Sequence, residues 1–147
     1  MKIRTLTRLM TLGIMVTLTA VSAYAQAGKS LTITIPFDFS VRGKILQRGQ
    51  YQIERSTQSS PEGLMLRGST DAPSVFVLGR VVQANEIQRH SKLMFRRYGD
   101  EYFLREVWIS GSTTGRELPM SKRERQVAQA MEKDKLRAEK ISVVATK

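Results

Sequence analysis

The chain reads as a mainly β protein: a small antiparallel β-barrel or sandwich of about seven strands with one C-terminal α-helix. Three observations predict this. From Leu31 to Val41 every odd position is apolar and every even one is not, the period-two pattern of a strand with one buried face. Turn signals marked by Gly or Pro interrupt the apolar runs at short intervals as far as Pro119. From Ser121 the chain loses both residues and becomes rich in helix formers. Pattern alone does not separate barrel from sandwich.

The N-terminus is expected to be a cleaved secretory signal over residues 1–25. Lys2, Arg4 and Arg8 form a positive start without an acidic residue, and Leu9 to Val21 is an uncharged, mostly apolar run of 13 residues. A bilayer-spanning helix needs about 20. Ala23-Tyr24-Ala25 supplies the small residues of a cleavage site, with Ala25-Gln26-Ala27 as a second. Removal leaves 122 of 147 residues, one ordinary domain. The expected destination is the periplasm or the extracellular space, and the mature chain has no apolar run long enough to span a membrane.

In the first strand, Leu31, Ile33, Ile35, Phe37, Phe39 and Val41 share the buried face, and Pro36 marks an edge or a bend because it cannot donate to a ladder. Arg42-Gly43 and Arg48-Gly49 are turns around Lys44-Ile45-Leu46. Gln50 to Glu54 alternates again with Tyr51 and Ile53 inward; residues 56–62 form a polar loop; Leu64 to Arg67 is another strand. The run Val75 to Val82 is apolar on both faces and reads as central, with Gly79 at a bulge or close approach.

Leu93 to Tyr98 and Glu101 to Trp108 flank Gly99-Asp100, which suits a type II′ hairpin turn. On that register Phe95 faces Leu104, Arg96 faces Phe103, and Leu93, Phe95, Tyr102, Leu104 and Trp108 share a face. Gly111 to Gly115 reads as a flexible loop. Ser121 and Glu124 form a capping box, so the organisation is a β-rich domain over 26–120, a helix over 121–140 packed on or beside it, and a tail over 141–147. The helix has a sparse apolar stripe that includes Val127, Ala130, Met131 and Leu136; Ile141 to Ala145 has β propensity and is expected as either a short tail strand or a frayed end.

The chemistry is marked by what is missing. With no cysteine and one histidine, His90, thiol catalysis, iron–sulfur clusters, cysteine-ligated zinc and His-rich metal sites fall away. No cofactor or metal motif is present: Gly111 to Arg116 lacks the ending of a phosphate loop, and Gly-x-Ser-x-Gly is absent. Asp38, Glu54, Glu86, Glu106 and Glu117 could supply a carboxylate pair for glycoside hydrolysis, but spacing does not choose among them.

The formal charge is +11, of which the leader carries +3, leaving +8. Such a domain is drawn to anionic surfaces. Basic residues interleave with aromatics between Lys92 and Arg105, and Arg96, Arg97, Arg105 and Arg116 are the candidate binding residues. The same pattern describes a hairpin with a packed face and a charged one, and export argues against nucleic acid.

Three stretches together resemble a family of short exported proteins common in Acidobacteria and related soil bacteria. They are Ile35-Pro36-Phe37-Asp38-Phe39 with Gly43-Lys44 and Gly49-x-Tyr51; Arg97-Tyr98-Gly99-Asp100 with Tyr102-Phe103-Leu104 and Trp108; and Gly115-Arg116-Glu117-Leu118-Pro119 before Ser121 and Arg123-Glu124. The likeness covers roughly residues 31–125. Where the family has Pro-Ala-Gly before the tyrosine, this chain has Gln47-Arg48-Gly49. The resemblance implies export and a single domain; it assigns no activity and no site residue.

The function expected is an exported, non-catalytic binding domain. Its partner would be an envelope protein, docking on the helix or on an exposed strand edge, or an anionic envelope polymer. The alternative is an envelope glycan hydrolase that uses a carboxylate pair. A third possibility is assembly of copies by strand pairing.

Overall fold

A computed structural model describes residues 30–55, 63–69, 73–134 and 137–145. The expected leader and the polar loop at 56–62 lie outside the described residues. Eleven strands and one helix are found among the described residues. The strands are β1 (Leu31–Ile35), β2 (Phe39–Val41), β3 (Lys44–Leu46), β4 (Gly49–Arg55), β5 (Gly63–Gly68), β6 (Val75–Leu78), β7 (Arg80–Gln83), β8 (Lys92–Tyr98), β9 (Glu101–Trp108), β10 (Thr114–Glu117) and β11 (Glu139–Val144). Helix α1 (Lys122–Lys133) lies between β10 and β11.

The strands form two sheets, one in the order β1-β4-β5-β6 and the other β11-β8-β9-β10-β7, with the β2–β3 hairpin attached to β9. Neither closes on itself. The architecture is a sandwich, and its interior gathers Ile33, Ile35, Phe39, Val41, Tyr51, Ile53, Leu66, Val77, Leu93, Phe95, Leu104 and Val107 from the inner faces of both sheets. Phe37 stacks on Tyr102 at 3.9 Å between centroids and meets Phe95 edge-on.

The strand count exceeds seven partly because two runs that look continuous are each cut in two. Pro36 to Asp38 breaks the first, and the chain passes from one sheet to the other while keeping its apolar side inward. Pro36 thus marks a bend between sheets, and β1 is an edge strand, both expected of a residue that has no N–H to give a ladder. Gly79 breaks the second. A Cβ there would stand 3.1 Å from the Glu117 carbonyl oxygen and 3.2 Å from the Arg116 Cβ, so the close approach read from Gly79 is real.

Four expectations need correcting. Residues 75–82 are not central: β6 ends one sheet and β7 the other. Apolar side chains on both faces say nothing about whether the backbone is paired on both edges, and Phe76, Leu78 and Val81 are exposed. Trp108 does not share a face with Leu104. A bulge leaves Arg105 without a partner on β8, because Phe95 pairs with Leu104 and Met94 with Glu106. One inserted residue reverses the alternation, so Val107 faces the core in place of Trp108. The loop expected over 111–115 stops at Thr113: Thr114 and Gly115 open strand β10, with Gly115 against the Trp108 ring.

The fourth correction concerns the C-terminal helix, which ends at Lys133 rather than running to 140; residues 139–144 form β11, so the segment from Ile141 is the short strand and not the frayed end. Antiparallel pairing from Glu139–Arg97 to Val144–Lys92 satisfies the open edge of β8 and brings Ile141 and Val143 against the core. A sparse helical stripe offers less burial than that.

The hairpin register is as read: Phe95 pairs with Leu104 and Arg96 with Phe103, and Gly99 has φ +60°, as its turn requires.

Candidate functional site at the strand edge

The switch from β6 to β7 leaves a distinctive edge. Val75 and Val77 point inward, which turns Phe76 and Leu78 out, with 40% and 44% exposure; Val81 follows at 51%. Natural edge strands are commonly blunted by charge or Pro. These two edge strands, one in each sheet, instead carry exposed Phe76, Leu78 and Val81, with Arg80 among them in sequence.

Beside it lies a groove of about 410 Å³ lined by Leu78, Gly79, Arg80, Arg105, Glu117, Leu118 and Pro119. Each wall has a local cause. Gly79 lets β10 approach. Pairing of Glu117 with Arg80 across β10 and β7 sets those side chains side by side. The bulge frees Arg105 from the ladder pattern, while its carbonyl accepts from Leu118 N–H at 2.7 Å and so draws the chain after β10 alongside β9.

An ion-pair chain runs from the groove to α1. Arg80 Nε donates to Glu117 Oε2 at 2.8 Å, Arg105 Nη2 to Glu117 Oε1 at 3.1 Å, and Arg105 Nη1 to Glu124 Oε1 at 3.3 Å. The environments of the two carboxylates differ. Burial pushes Glu117 up, yet the hydrogen bonds and charges of Arg80 and Arg105 outweigh it and hold the carboxyl below its ordinary value. Glu124 is 2% exposed. Burial raises its carboxyl against the opposing pulls of Arg105, the Ser121 backbone N–H and Arg96.

Glu124 owes its place to the helix cap. Ser121 Oγ accepts from the Glu124 N–H at 3.1 Å, the first half of a capping box. The helix docks lightly, through Glu124 with half-buried Val127 and Met131 along one face, and Ala130 is exposed.

The four arginines singled out from sequence do not form one surface. Arg105 and Arg96 converge on Glu124. Arg97 lies on the opposite side of β8, over the Tyr102 ring at 5.6 Å and paired with Glu139 at 3.4 Å. Arg116 pairs with Val107 in register, on the core-facing side of its sheet, and donates to the Gly115 carbonyl at 3.3 Å. Only Arg105 lines the groove.

The candidate acids other than Glu86, which is exposed, are also engaged. Asp38 caps the Arg48 N–H at 2.7 Å, Glu54 meets Arg67 at 3.7 Å, and Glu106 accepts from the Trp108 indole at 2.8 Å. Glu124 does not line the groove, so the one carboxylate pair with opposed environments has a single member within reach of a ligand. His90 is exposed in the loop before β8. Sequence reasoning missed Arg80, Leu118 and the burial of Glu124; the capping-box spacing was the only signal pointing to the last.

Comparison with protein-family models, with curated proteins and with solved structures finds no match to this chain.

Proposed function

We propose that this chain is an exported, non-catalytic β-sandwich domain that binds an extended segment of an envelope protein along its β6–β7 edge. The observation that carries the reading is the exposure of Phe76, Leu78 and Val81 on two strands that each end a sheet. A free strand edge offers backbone partners for affinity, and pockets beside it select alternate side chains of the guest. The groove at Leu78 and Pro119 is such a pocket, with Arg80, its side chain 77% exposed, at the rim.

The apolar edge favours a protein over an anionic polymer, which would have nothing to place against Phe76 and Leu78. Secretion through the 1–25 leader and kinship with the Acidobacterial exported proteins are part of the same proposal. They rest on the residues quoted for them. The hydrolase alternative draws less support, because both oxygens of Glu117 are held by arginines and Glu124 is sealed under α1.

The test is capture from a solubilised envelope fraction by the wild-type chain and by Phe76→Lys/Val81→Lys, in low and high salt. A partner held in high salt by the wild type and lost by the variant supports the edge. Equal retention by both, or capture that salt abolishes, refutes it.

A further inference from the structure

The β2–β3 hairpin carries a second surface, independent of the edge. Arg42 and Gly43 form its tight turn, with φ +51° and +86°, and β3 pairs with β2 alone. Leu46 is buried and roots the hairpin in the core. One residue before it, Ile45 points the other way and is 79% exposed, the most exposed large apolar side chain among the described residues. Arg42 in the turn, Lys44 on β3 and Arg48 just after it are all exposed, and none has an ion-pair partner among the described residues. The nearest acid in sequence, Asp38, accepts from the Arg48 backbone N–H at 2.7 Å and makes no ion pair with the three cations.

A bare isoleucine on a hairpin that carries three cations without ion-pair partners is matched to an interface that is anionic outside and apolar just beneath. We infer that the β2–β3 hairpin docks the domain on an anionic phospholipid surface, with Ile45 entering the acyl boundary and Arg42, Lys44 and Arg48 at the headgroups. A soluble polyanion would satisfy the cations but give Ile45 nowhere to go. The type I′ turn holds the backbone rigid, so little ordering accompanies contact.

The experiment uses the full chain and compares variants within it, so that any contribution from residues 1–29 is common to all arms. Binding is measured by co-sedimentation with phosphatidylcholine vesicles, with mixed phosphatidylcholine–phosphatidylglycerol vesicles, and by competition with inorganic polyphosphate. Lys44→Gln/Arg48→Gln is expected to weaken binding to the anionic vesicles by more than roughly tenfold, at about fivefold per charge. Ile45→Ser is expected to weaken it several-fold and to leave polyphosphate binding unchanged.

Because the chain has no cysteine, Ile45→Cys can also carry an environment-sensitive dye. Its emission should shift to the blue on anionic vesicles, while the same dye at Thr34→Cys, another exposed strand position, should not shift. Binding that ignores Ile45→Ser, or a dye at 45 that stays in water, overturns the inference in favour of a purely electrostatic polyanion contact. Equal binding to neutral vesicles overturns it as well. None of these outcomes bears on the β6–β7 edge, which has its own variants.

Discussion

Gly115 lies so close to the face of Trp108 that a Cβ on it would stand 2.7 Å from two atoms of the indole ring. The ring fills the place of the missing side chain, and its N–H is tied to Glu106 at 2.8 Å, so it has little freedom to withdraw. Gly115→Ala should destabilise the domain by about 1–3 kcal/mol through overpacking. Urea unfolding followed by Trp108 fluorescence measures this, and an unchanged midpoint would show that the ring moves aside freely.

The Arg105–Glu124 contact makes a paired prediction. Arg105→Ala leaves a carboxylate that is 2% exposed without its guanidinium, and should cost about 3–5 kcal/mol. Arg105→Met combined with Glu124→Leu should recover most of that loss, since apolar residues of similar volume often replace a buried pair without penalty. Denaturation of the single and double variants reads the difference; a double variant as weak as the single would locate the stability elsewhere.

Glu124 and Glu117 act on stability in opposite directions of pH. The folded Glu124 carboxyl lies above its ordinary 4.5, so above 4.5 the native state binds more protons than the unfolded one. Its contribution is greatest in acid and declines as pH rises through the folded value. Glu117 lies below 4.5 when folded, so its contribution is present above 4.5 and is lost as pH falls through the folded value. Relative to Glu124→Gln, the wild type should therefore lose stability between pH 4.5 and neutrality. Relative to Glu117→Gln, it should lose stability below 4.5. Denaturant midpoints across pH check both signs.

Strand β11 closes the edge of β8. A chain ending at Asp134 should lose about 2 kcal/mol or more from the burial of Ile141 and Val143, and should self-associate through the bared strand. Light scattering and thermal melting test this, and a stable monomer would contradict it.

Much of the fold was legible because side-chain alternation survives changes of sheet: Leu31, Ile33, Ile35, Phe39 and Val41 are all buried although the chain crosses between sheets at Pro36. What escaped the pattern was set by backbone pairing. The bulge at Arg105 turned Trp108 to the other face, and an edge vacant on β8 recruited residues 139–144 away from the helix. The groove was less legible still. Arg80, Arg105, Glu117 and Leu118 come from three strands and a turn, and nothing in their spacing announces that Gly79 draws them together.

The strand edge is tested most directly by a photo-crosslinking amino acid placed at Phe76, at Val81 and, as a control at another exposed position, at Gln126 of α1, in the chain made in its native host. The expected result is one recurring envelope protein joined from positions 76 and 81 and absent from 126, with the adduct lost when Leu78→Lys is added. Adducts spread evenly over all three positions, or none from 76 and 81, would contradict a docking role for this edge.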